Sequence, residues 1–115
     1  GRLTVMFCAF EGPPMILRLY GRGRVIARGS AEWATLLAGP FEGIEPPGAR
    51  QMVRLDVDLV QTSCGFAVPF FEAVGSRDTL DRWASSKSEV ELDAYRRRKN
   101  AVSMDGLPTG LFPED

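Results

Sequence analysis

Apolar and polar positions alternate most cleanly from Gln51 to Thr62, where Val53, Leu55, Val57 and Leu59 interleave with Arg54, Asp56 and Asp58. A period of two predicts a strand with one face buried. Nearer the start, Leu3 to Phe10 is an apolar run rich in β-branched and aromatic residues without a 3.6 period, which predicts a central strand covered on both faces. Glu11-Gly12-Pro13-Pro14 breaks the run, because proline removes a backbone donor and fixes φ while glycine permits a reversal. Met15 to Ala27 then predicts a long, bent strand hairpin-paired with the first, in which Gly21 and Gly23 mark a bulge or the close approach of another backbone. On a regular pleat Ile16, Arg18 and Tyr20 share one face, while Met15, Leu17 and Leu19 share the other and point to the core.

Helical spacing appears first after Ser30, a fitting N-cap for a segment whose Trp33, Leu36 and Leu37 form one apolar stripe. Gly39-Pro40 ends it, and Phe41 to Arg50 reads as an irregular loop. After Ser63-Cys64-Gly65-Phe66 interrupts the alternating strand, Val68-Pro69-Phe70-Phe71 is a short apolar segment that Pro69 confines to an edge or an irregular path. Its aromatics need cover. Thr79, Leu80, Trp83 and Ala84 predict a further helix, capped by Ser76 or Asp78. Ser88-Glu89-Val90-Glu91 has the form of a capping box at the start of the next, with Leu92 and Tyr95 as its apolar stripe and Arg96 to Lys99 at the C-terminal end that favours positive charge. Strands followed by a helical hairpin predict an α+β chain with an antiparallel sheet.

Composition narrows the chemistry. The 115 residues, 44% hydrophobic and 25% charged, suit a single domain over 1–115 that buries about two-thirds of its unfolded surface. Fourteen basic against fifteen acidic residues give no global field for polyanions, which disfavours general nucleic-acid binding. Apolar runs fall well short of the roughly 20 residues a membrane helix needs, so a soluble cytoplasmic protein is expected. The sequence holds no histidine, which excludes Ser-His-Asp and Cys-His nucleophile systems and zinc sites that use histidine; no metal site is expected. Cys8 and Cys64 read as buried free thiols of a reducing compartment. Gly21-Arg22-Gly23-Arg24 invites a phosphate-binding reading, yet it is not GxGxxG and a glycine-bulged strand with solvated arginines accounts for it. No self-sufficient catalytic constellation is present, so an enzyme built on this chain would rely on a cofactor.

The hairpin residues Gly1-Arg2-Leu3-Thr4-Val5-Met6-Phe7-Cys8-Ala9-Phe10-Glu11-Gly12-Pro13-Pro14 and Leu17-Arg18-Leu19-Tyr20-Gly21-Arg22-Gly23 resemble the central hairpin of the pyridoxamine 5'-phosphate oxidase-like, FMN-binding split-barrel family. Ser63 to Pro69, Arg77 to Trp83 and Asn100 to Pro108 resemble later signatures of one bacterial branch of it. The resemblance implies an antiparallel split β-barrel, here partial, with a C-terminal helical hairpin. It also implies an FMN-binding oxidoreductase working as a homodimer on an unidentified small molecule. The flavin ring would lie near the Phe10 to Ile16 turn and the Cys64-Gly65 segment, which makes Phe10, Met15, Ile16, Arg18, Cys64 and Gly65 the candidate cofactor-binding residues, with Arg18 facing an anionic group.

Two departures from the family pattern separate this chain from vitamin B6 oxidation. Ile16 stands where the oxidases carry a flavin-contacting glutamine, and the tail Thr109 to Asp115 lacks their tryptophan and arginine motif. The sequence resembles the C-terminal two-thirds of a family member, with the first strands and the Arg/Lys segment that grips the flavin phosphate lying upstream. The expected consequence is an open sheet edge covered by a second subunit. Two other readings stay open: a non-catalytic split-barrel dimerisation or ligand-binding module that has lost flavin, and a haem- or deazaflavin-binding relative, of which the histidine-ligated haem is excluded.

Overall fold

A computed structural model describes residues 1–112. The final three positions, with that part of the tail reading, lie outside the described residues. The chain is α+β, in the order β1 (Arg2–Cys8), β2 (Ile16–Ala27), α1 (Ala31–Ala38), β3 (Gln51–Ser63), α2 (Thr79–Ser85) and α3 (Glu89–Asn100). Its residues group into two compact units: Gly1–Ile26 with Gln51–Ser76, and Ala27–Arg50 with the described residues from Arg77 onward.

The first unit is a three-stranded sheet in the order β1-β2-β3. β1 and β2 form the expected antiparallel hairpin, with Cys8 opposite Ile16, Met6 opposite Arg18 and Arg2 opposite Arg22. The β2–β3 cross-links Arg18–Ser63 and Tyr20–Gln61 run in opposite senses along the two strands, as antiparallel neighbours require. β1 is therefore an edge strand and β2 the central one, which corrects the expectation that Leu3 to Phe10 is covered on both faces. In β1 Leu3 and Val5 are half-buried, whereas Met6 and Phe7 stay exposed. The expected half-buried face of β3 is also reduced: Leu55 is partly covered, while Val53, Val57 and Leu59 are exposed. Three strands cannot cover their own apolar face, and no further strand closes either edge among the described residues. The sheet is open.

Gly21 behaves as a strand glycine should. It is buried, and a Cβ there would fall on the backbone carbonyl of Asp56 and within 2.9 Å of Leu55 Cδ1. A side chain at this position would push β3 off β2. Beyond that contact, Asp58 reaches Arg2 and Gln61 reaches Tyr20 across one face of β2. Residues three apart point to opposite faces of a regular pleat, so the alternation of β3 slips between Asp58 and Gln61.

In the second unit the sequence signals act as expected. The Ser30 hydroxyl accepts from the Trp33 amide at 3.1 Å, Trp33 is buried, and Leu36 and Leu37 are half-buried beside it. Asp78 occupies the N-cap position of α2 without a side-chain capping bond. Ser88 and Glu91 form the reciprocal capping box of α3. Trp83 on α2 meets Tyr95 on α3 edge to face at 4.8 Å between ring centres. Arg28 ties the loop and α3 together by bonding Glu45 and, at 2.7 Å, Glu89. That arrangement raises the Arg28 pKa and lowers that of Glu89, chiefly through their hydrogen bonds.

The buried apolar side chains among the described residues are Ile26, Trp33, Ala84 and Leu92, a smaller core than the length leads one to expect. Cys8 is half-buried, but Cys64 is exposed, which corrects its reading as a buried thiol: it sits just past the end of an edge strand, where no layer covers it. No helix among the described residues is long and apolar enough to cross a membrane.

Candidate functional site

The candidate residues meet at one end of the sheet unit. Past the Cys8–Ile16 pair the hairpin closes through the Ala9 amide, which donates to the Met15 carbonyl at 2.9 Å. The turn between them, Phe10 to Pro14, is exposed, and Gly12 has φ +68° with open space around it. Beyond β3 the chain bends at Gly65, which has φ +63° and is buried. A Cβ on Gly65 would stand 2.8 Å from the backbone nitrogen and carbonyl carbon of Met15. The Ser63-Cys64-Gly65 segment is thus laid directly on the start of β2. The Phe71 amide donates to the Phe10 carbonyl at 3.2 Å, and the two rings meet edge to face at 5.2 Å.

Arg18 lies two residues inside β2 and is half-buried. Its Nη1 donates to the Ser63 hydroxyl at 3.1 Å. The rest of its guanidinium fork has no side-chain acceptor among the described residues. Phe10, Met15, Ile16, Arg18 and Gly65 are therefore gathered around one corner, with Cys64 between Ser63 and Gly65. The corner offers apolar surface, one positive fork and a hydroxyl, a composition suited to a ligand with a flat apolar body and an anionic edge.

Sequence reasoning missed Ser63 and Phe71 as members of this corner. Ser63 is found only through its register with Arg18, and Phe71 only through the return of the chain to Phe10; neither follows from local periodicity. The missing side chain of Gly65 makes room for the Met15 backbone.

At the opposite end of the hairpin Arg2 grips Asp58 with both terminal nitrogens, Nη2 at 3.0 Å from Oδ1. This bidentate bond holds the Asp58 carboxyl below its usual range, helped by the charges of Arg2 and Arg22. All these groups are solvent-exposed, and the pair fixes strand order more than it adds stability.

No family model matches the chain, and no solved structure matches it. Among curated proteins it is 34% identical over 122 residues to the pyridoxamine 5'-phosphate oxidase family protein ustO of Aspergillus flavus, an alignment that takes in 94% of this chain and 48% of that protein. The chain thus spans about half the length of the curated relative it matches. Homology to a protein of the pyridoxamine 5'-phosphate oxidase family thus extends over nearly the whole of this chain.

Proposed function

We propose that the chain is the flavin-handling part of an FMN-dependent oxidoreductase of split-barrel type, acting as a homodimer on a small molecule. The observation that carries this reading is the corner where the Met15–Gly65 backbone contact sets the half-buried Arg18 fork beside Ser63 and next to apolar surface. The residues fit such a cofactor in kind: Arg18 and Ser63 supply donors for a polar ring edge, and Phe10, Met15 and Ile16 supply apolar walls. Bound there, FMN would supply hydride or electron transfer. The chain's own residues would hold the ring by its edge, orient it against the hairpin and keep water from one side.

The homodimer rests on the sheet. Phe7, Val53 and Phe70 are 54%, 54% and 83% exposed, and an open antiparallel edge with bare apolar residues calls for a covering layer. A second subunit supplies one and could complete the barrel. One observation favours the non-catalytic reading instead: the backbone of Met15 fills the space at Gly65, so that glycine serves packing and leaves no cradle there.

A single experiment separates the two. Protein mixed with FMN and passed through gel filtration should keep the absorption bands of oxidised flavin, and Arg18→Ala should bind FMN about tenfold more weakly, the usual cost of losing a charged hydrogen bond. Colourless protein that leaves FMN fluorescence unquenched would remove the flavin assignment and leave the non-catalytic module.

A further inference from the structure

The helical unit contains a cavity of about 550 Å³ that takes no part in the corner described above. Its size lies within the range of small-molecule pockets. The buried indole of Trp33, with Leu37 and Leu111, forms an apolar wall, and Arg28, Arg50 and Arg96 bring three guanidiniums to the lining. Two carboxylates, Glu45 and Asp93, also line it. Each is already engaged, Glu45 by Arg28 and Asp93 by Arg97 at 2.8 Å.

Arg96 is held in place. Its side chain is 13% exposed, its Nη2 donates to the Ala49 carbonyl at 3.0 Å, and Glu89 lies 4.0 Å from its Nη1. Arg50 differs from the other two, because its partner among the described side chains is the neutral amide oxygen of Asn100 rather than a carboxylate. Among the described residues the lining therefore carries one positive charge without a carboxylate partner, mounted on a planar fork in a lining that also holds an indole. A guanidinium in that setting is suited to a carboxylate, which it can meet with two parallel hydrogen bonds.

We propose that this cavity is a binding site for a small monoanion, a carboxylate on an apolar or aromatic body, whose charge meets Arg50 and whose body lies against Trp33 and Leu37. A dianion is disfavoured, since among the described residues the lining offers a single positive charge without a carboxylate partner and holds two carboxylates of its own. The site is independent of the flavin reading: it uses other residues and a different ligand charge.

The probe is 2-naphthoate, with the neutral 2-naphthalenemethanol as its counterpart, titrated calorimetrically and by the indole N–H resonances of the protein as purified. The expected result is saturable one-to-one binding of 2-naphthoate that shifts the Trp33 indole signal and leaves that of Trp83, which does not line the cavity, in place. The neutral counterpart should bind at least about tenfold more weakly. Arg50→Ala should lose about tenfold in affinity. Asn100→Asp, which gives Arg50 a carboxylate partner without removing it, should weaken binding in the same direction, and guards against a folding defect in the first variant. Equal affinity for the two probes, unchanged binding in both variants, a response at Trp83 instead of Trp33, or no saturable binding up to about 5 mM would each overturn the proposal.

Discussion

Gly65 meets two separate constraints in the sheet unit. It combines a left-handed φ of +63° with a backbone contact that leaves no room for a Cβ. Gly65→Ala should therefore cost about 2–3 kcal/mol, from strain at positive φ and displacement of Met15, read as a drop in urea midpoint. Gly12→Ala has a similar φ of +68° but open surroundings, and should cost about 1 kcal/mol. The difference between the two variants isolates the steric part. Charged residues make a second prediction. Asp58, Glu89 and Glu91 all have lowered carboxyl pKa values, held down by hydrogen bonds from Arg2, Arg28 and Ser88 respectively. A carboxyl whose folded pKa lies below its unfolded value adds stability above the unfolded value and loses it as pH falls through the folded one. The urea midpoint should hold steady from pH 7 to about 5 and decline below about 4. Asp58→Asn should flatten part of that decline.

Among the elements, α3 depends most on its first turn. Ser88 accepts from the Glu91 amide at 3.3 Å, and Glu91 accepts from the Ser88 amide at 2.8 Å, so Ser88→Ala should destabilise the protein by about 1 kcal/mol in thermal melts. Helix features of this kind are readable in advance because cap and partner lie within four residues. The caps at Ser30 and Ser88, the end at Gly39 and the stripe of α1 all follow from local spacing. Strand placement is different. Leu3 to Cys8 has the composition of a central strand, but whether a strand is central is decided by which others pair with it, and β1 has one neighbour. The alternation from Gln51 to Thr62 marks the strand correctly and still misjudges its burial, since cover for Val53 and Val57 has to come from a layer the sheet unit does not contain. The corner around Arg18 was half legible for the same reason. The hairpin residues are neighbours in sequence, whereas Ser63 and Phe71 arrive from 45 and more positions away.

For the whole molecule the governing fact is the amount of apolar surface left bare on an open sheet. A homodimer that covers it should show a melting temperature that rises with protein concentration, because association stabilises by mass action. Sedimentation across a hundredfold dilution should show dimer giving way to monomer; a monomer throughout, with a concentration-independent melt, would leave those edges uncovered and remove the dimer. The division of the chain into two units also bears on how such melts are monitored. Both tryptophans, Trp33 and Trp83, belong to the helical unit, while the sheet unit carries Tyr20 and no indole. Intrinsic emission excited at the red edge of the protein band therefore reports on the helices alone. A sheet that frays first would pass unseen by that signal, and its loss would register only as a far-ultraviolet change that precedes the fluorescence transition.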